Sequence, residues 1–124
     1  MRRIQSERMN KINELIKVIA NTDRRFFYHN KKDSIDKFIE GKTTVFFFDD
    51  FLNKKISLTY SNRNRFSHGG TLWGLVNDFK EWIITGKYSN GHNGYGGLYC
   101  SHWGYSNDGM KKIIEKAKEI GYLK

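Results

Sequence analysis

The chain of 124 residues has no proline and one cysteine, Cys100. A single thiol excludes an internal disulfide framework and fits a reducing cytoplasm, where the protein is expected to reside. No apolar run approaches the length of a membrane span, so no membrane partner is expected. Arg2-Arg3 is not followed by a hydrophobic stretch, which excludes a secretory or twin-arginine signal there. The glycine-rich run Gly91–Gly97 follows a helical pattern instead of a strand and lacks a Gly-Lys-Ser/Thr ending. It is therefore not a nucleotide loop, and no cofactor is expected. Alanine and valine are scarce, so aromatic side chains must supply much of the core. Acidic residues are also outnumbered, 13 against 22 lysines and arginines.

What is present is ring and positive charge. Nine Phe, seven Tyr and three Trp make 15% of the chain aromatic, and each buried ring removes on the order of 150–250 Å² from water. One hydrophobic core fits this length, and two do not. The chain reads as a single domain, 1–124, with residues 1–8 a short basic extension if translation starts at Met9. The net charge of +9 biases the surface towards polyanions such as nucleic acid, anionic lipid or an acidic protein face. A solvated lysine-rich surface has the same composition.

Periodicity orders the elements as helix, strands, helix, helix. Met9, Ile12, Ile16 and Ile19 form the stripe of an amphipathic helix over Ser6–Ala20. Arg24–His29 and Ser34–Ile39 read as strands joined by a turn at residues 30–33. Thr43–Phe48 is the strongest strand, apolar on both faces and therefore central, and Lys55–Tyr60 alternates as its neighbour. Thr71 caps a helix with its stripe at Leu72, Leu75, Val76, Phe79, Trp82 and Ile83, closed by Gly86. Ser106 caps the last helix, which Gly121 ends with Tyr122 and Leu123 packing back on it. The fold class is α+β: an antiparallel sheet of three to four strands carrying one N-terminal and two C-terminal helices.

Four constellations carry candidate chemistry. Arg24 and Arg25, leading into Phe26-Phe27-Tyr28-His29, combine with Arg63 and Arg65 as phosphate-pairing cations beside stackable rings, a nucleic-acid surface. A sheet aromatic is more often core, which is the plainer reading of the same rings. His68, His92, Cys100 and His102 include zinc-ligating types, but their spacing is looser than structural zinc sites use, so no metal is assigned to them. Asp49-Asp50 with His29 or His68 has the donors of a metal-dependent nuclease, against the plainer reading of a solvated turn. The long run from Gly86 to Tyr105 interleaves rings with Gly, Ser and Asn. Tyr88, His92, Tyr95, Tyr99, His102, Trp103 and Tyr105 there are the candidate partner-binding residues, as in adaptable recognition loops. An ordered loop whose rings plug the core is the equal rival.

Richness in Lys, Asn, Ile, Phe and Tyr suits AT-rich codons and hence a low-GC bacterium or its phage. Arg65-Phe66-Ser67-His68-Gly69-Gly70-Thr71-Leu72, Thr85-Gly86-Lys87, Trp103-Gly104-Tyr105-Ser106 and Ile120-Gly121 together resemble small bacteriophage proteins of low-GC Gram-positive hosts, over roughly the C-terminal half. The resemblance brings no catalytic residues. It implies a non-enzymatic accessory protein that binds a host macromolecule, for example a protein that handles nucleic acid or serves in defence. Direct nucleic-acid binding is the alternative, and a metal-dependent nuclease the third reading. The oligomeric state is left open.

Overall fold

The computed structural model describes residues 2–22, 27–41, 44–50, 53–66, 70–88 and 106–123. The α+β class and the element order hold. Helix α1 (Arg3–Ala20) precedes strands β1 (Tyr28–His29), β2 (Ser34–Ile35), β3 (Lys37–Glu40), β4 (Val45–Asp49) and β5 (Lys54–Ile56). A 3-10 helix (Tyr60–Arg65), α2 (Gly70–Thr85) and α3 (Asn107–Ile120) complete the described elements. None of these helices is long and apolar enough to cross a membrane.

The sheet departs from a single meander. The expected strand Ser34–Ile39 is broken at Asp36: β2 pairs only with β1, while β3 joins β4 and β5 in a separate antiparallel sheet with β4 in the middle. An acidic residue is a poor occupant of a strand centre, and Asp36 turns its carboxylate to other work, described below. The central position expected of Thr43–Phe48 is thus observed for Val45–Asp49. The expected strand Lys55–Tyr60 is shorter. Ile56 is its last paired residue, against Phe47, although Leu58 beyond it remains buried.

Register explains the inner face of this sheet. Phe38 opposes Phe47, and Phe47 opposes Ile56. Opposed residues share a face, and all three are buried, as is Val45 two residues along. Gly41 makes the β3–β4 turn. Its N–H donates to Thr44 O at 2.7 Å, and a Cβ there would stand 2.6 Å from the Phe46 ring and 2.9 Å from Thr44 O.

Helix α1 is the hub. It packs on β3, α2 and α3, burying Ile12, Leu15, Ile16, Ile19 and Ala20. It starts at Arg3, three residues ahead of the Ser6 marked by periodicity, and its first two turns contact α2. Arg8 donates to Ile83 O at 2.8 Å and Ile84 O at 3.2 Å, and Gln5 donates to Ile84 O at 3.1 Å. Helix α2 has no basic residue in its own last turn, so Arg8 supplies the cation that open C-terminal carbonyls favour. Gly86 follows at φ +74° with its N–H on Trp82 O at 2.7 Å, the expected left-handed stop. Helix α2 begins at Gly70, one residue before the Thr71 expected to cap it. The caps of α3 are as expected: Ser106 Oγ accepts the Gly109 N–H at 3.0 Å, and Gly121 has φ +93°.

Asn13, off the apolar stripe of α1, seals the open edge of β3. Its Nδ2 donates to Phe38 O at 3.1 Å and its Oδ1 accepts the Phe38 N–H at 2.7 Å. One side-chain amide thereby mimics a neighbouring strand where an unpaired edge would otherwise stand. Replacing Asn13 with alanine leaves both backbone groups unpaired in a partly buried place. The expected loss is about 2–3 kcal/mol, two hydrogen bonds' worth, read from the urea midpoint, with faster hydrogen exchange at the Phe38 amide. Unchanged exchange at Phe38 would refute the strand-mimic role.

Candidate functional site

The hairpin β1–β2 positions the first two members of a polar cluster. His29 pairs with Ser34 across the ladder, so their side chains share a face. Asp36 lies two residues past Ser34, and its N–H donates to Phe27 O at 3.0 Å, carrying the pairing one step beyond β2. Period-two alternation returns Asp36 to the His29 face. Asp49, the last residue of β4, brings the third group from the other sheet. His29 Nε2 stands 2.7 Å from Asp36 Oδ1 and 3.4 Å from Asp49 Oδ1. Asp50 contributes its backbone, its N–H reaching Asp36 Oδ1 at 3.0 Å while its carbonyl accepts from Lys32 Nζ at 2.7 Å.

Asp36 is the one buried polar or charged residue among those described, 7% exposed. Burial pushes its carboxyl up from 3.8 to about 6. The His29 hydrogen bond and charge pull it down, the Asp49 carboxylate pushes it up, and the Asp50 N–H lowers it. Two residues before His29, Phe27 holds φ +68°, a left-handed conformation that costs an aromatic residue about 1–3 kcal/mol. Phe27 is buried against Phe47, ring centroids 5.9 Å apart, and that packing holds the strained residue in place.

The raised carboxyl has a definite sign for stability. The folded state holds the Asp36 proton more tightly than the unfolded chain. Its contribution is therefore fully present below about pH 4 and is lost as pH rises through about 6. An Asp36→Asn variant lacks this loss. Its stability relative to the parent is expected to improve by on the order of 2–3 kcal/mol between pH 4 and pH 7. Urea midpoints of both proteins in chelator-treated buffer measure it, and parallel pH profiles would show that Asp36 does not titrate differently on folding.

The structure brings together some of the residues expected from sequence. Asp49 and His29 meet, as the metal-nuclease reading requires, but Asp50 does not supply its carboxylate to the cluster, and Asp36 does. The sequence signal for Asp36 is an acid interrupting an otherwise strand-like run. Of the expected nucleic-acid contacts, Arg63 is half-buried and Arg65 exposed, both in the last turn of the 3-10 helix. Arg24 and Arg25 lie outside the described residues. Phe27, counted among the stackable rings, is core. Tyr88 is 60% exposed. His92, Tyr95, Tyr99, His102, Trp103 and Tyr105 lie outside the described residues, as do His68 and Cys100.

The family model YoqU matches residues 2–124. The chain belongs to the YoqU family. A YoqU relative, the SPbeta prophage-derived uncharacterized protein YoqU of Bacillus subtilis (strain 168), is 44% identical over 122 residues, covering 96% of this chain and 85% of its own. The resemblance to small phage proteins of low-GC Gram-positive hosts is borne out, and the match to YoqU extends it from the C-terminal half to the whole chain. No solved structure matches.

Proposed function

We propose that this YoqU-family protein is a non-enzymatic phage accessory factor that binds a host macromolecule, single-stranded nucleic acid, on the outer face of its three-stranded sheet. The observation that carries the reading is the pattern of that face. Lys37, Phe48 and Lys55 form one cross-strand row, and Ile39 and Phe46 form the next. The lysines are exposed and the rings half-buried, and Lys55 Nζ lies 5.4 Å from the Phe46 ring centroid. Rings set between cations on an antiparallel sheet suit a flexible polyanion, whose bases stack while its phosphates meet ammonium groups. The +9 charge adds the long-range attraction.

Fluorescence anisotropy with labelled DNA and RNA oligonucleotides tests this. Affinity is expected to fall steeply with salt, with a slope of about −0.7 per phosphate neutralised. The double variant Lys37→Glu, Lys55→Glu should bind at least roughly tenfold more weakly at low salt. A flat salt response, or no binding, removes the reading. The exposure of Tyr88, at the head of the 86–105 run, favours a second reading in which a host protein is bound there. A pull-down from lysate of a low-GC Gram-positive host, with and without nuclease, separates the two, because a direct protein partner survives nuclease.

A further inference from the structure

We propose that His29, Asp36 and Asp49 bind one divalent transition-metal ion, which clamps the β1–β2 hairpin to β4. Three observations converge. The first is the donor set: among the described residues these three offer one imidazole and two carboxylates with all ligand atoms within 4.8 Å of one another. Bonds of about 2.0–2.2 Å to a common ion place neighbouring donors roughly 3–3.5 Å apart, and the two His29–carboxylate distances, 2.7 and 3.4 Å, lie close to that spacing. A mixed nitrogen and carboxylate set suits Mn²⁺ or Zn²⁺.

The second observation is independent of the three ligands. The Ser34 hydroxyl is buried and has no hydrogen-bond partner, a costly state for a polar atom. Ser34 is the direct cross-strand partner of His29, so its hydroxyl shares the His29 face. A water carried by an ion at His29 would meet it there. The third is access. Asp36 and Lys37 face Asn10, Asn13, Glu14 and Lys17 of α1 across a groove of about 440 Å³, which reaches Asp36 from outside.

The ion would bind the Nε2 lone pair of His29, so the proton that Nε2 shares with Asp36 Oδ1 leaves to solvent and Nδ1 carries the remaining ring N–H. The ligands then tie the two sheets together through bonds that the sequence separates by seven and thirteen positions. The clamp does not depend on nucleic-acid binding at the outer sheet face.

The test uses the full chain, chelator-treated, and Mn²⁺ as the probe. Calorimetric titration is expected to show one bound equivalent, and a thermal midpoint higher by roughly 10 °C at a hundredfold excess over Kd. Asp49→Asn and His29→Ala should each weaken binding by about tenfold or more, and Ser34→Ala by up to about tenfold as an outer partner. Asp50→Asn should leave it unchanged. NMR of the unaltered protein needs no variant to fold: substoichiometric Mn²⁺ should broaden the His29 ring resonances before those of the other histidines. Absence of binding at about 1 mM Mn²⁺ overturns the proposal. So does first broadening at His68, His92 or His102, or an affinity unchanged in Asp49→Asn, in which case the cluster is an ion-paired cross-link only.

Discussion

Replacing Phe47 with alanine is expected to remove about 3–5 kcal/mol of stability, a large part of the 5–15 kcal/mol that holds a domain of this size folded. Phe47 is 2% exposed and sits where three parts of the chain meet. Its ring meets Phe38 of β3 at 5.5 Å and Phe27, ahead of β1, at 5.9 Å, both edge-on, and Phe66, after the 3-10 helix, at 5.6 Å in a tilted arrangement. Removing it opens a cavity walled by rings, which relax poorly into the space. The hydrophobic area and the edge-to-face contacts are lost together, the latter about 0.5–1.5 kcal/mol each. Phe47→Leu keeps most of the burial and should cost distinctly less. Urea unfolding, with the midpoint falling at constant m, measures both. A Phe47→Ala loss near 1 kcal/mol would mean that the ring cluster is not the centre of the sheet core. Because the same cluster holds Phe27 in its strained conformation, the His29–Asp36 spacing should loosen in the variant as well.

Tyr122→Ala carries the other large effect, also about 3–5 kcal/mol. Tyr122 is fully buried, edge-on to Phe79 at 5.0 Å and to Trp82 at 6.0 Å, and its hydroxyl donates to Asp78. Gly121 makes this possible. Its left-handed φ lets the Tyr122 N–H reach back to Ala117 O at 2.9 Å, closing α3 and aiming the ring at α2. The tail thus joins α3 to α2, and its loss should expose the ends of both helices to hydrogen exchange. Tyr122→Phe separates the terms, since the ring stays and only the hydroxyl is lost, at about 1 kcal/mol. Equal losses in the two variants would mean that the hydrogen bond, and not the packing, holds the tail.

The features legible in the sequence are those whose cause is local. Helical stripes, the Ser106 cap and the glycine stops at Gly86 and Gly121 follow from side-chain geometry within a few residues. The run Thr43–Phe48 declares itself central because it is apolar on both faces, and the observed β4 is the middle strand. Arg8 and Asn13 were illegible for the opposite reason. Both are polar residues on an exposed-looking helix face, and both are used by carbonyls or amides 25 or more positions away. Asp36 looked like part of one strand because nothing near it says that β2 and β3 belong to different sheets.

By itself, then, the sequence determined the α+β class, the order of the elements, their stops, and the strong positive charge, because each depends on composition or on spacing within a turn or two. The tertiary structure alone decided that Asp36 is buried, that Asp50 lends its amide and not its carboxylate, and that His29 stands between Asp36 and Asp49. Those facts depend on strand register and on how two sheets meet. A one-residue slip in either would turn these side chains to the opposite face, and no local pattern in the chain records which register is chosen.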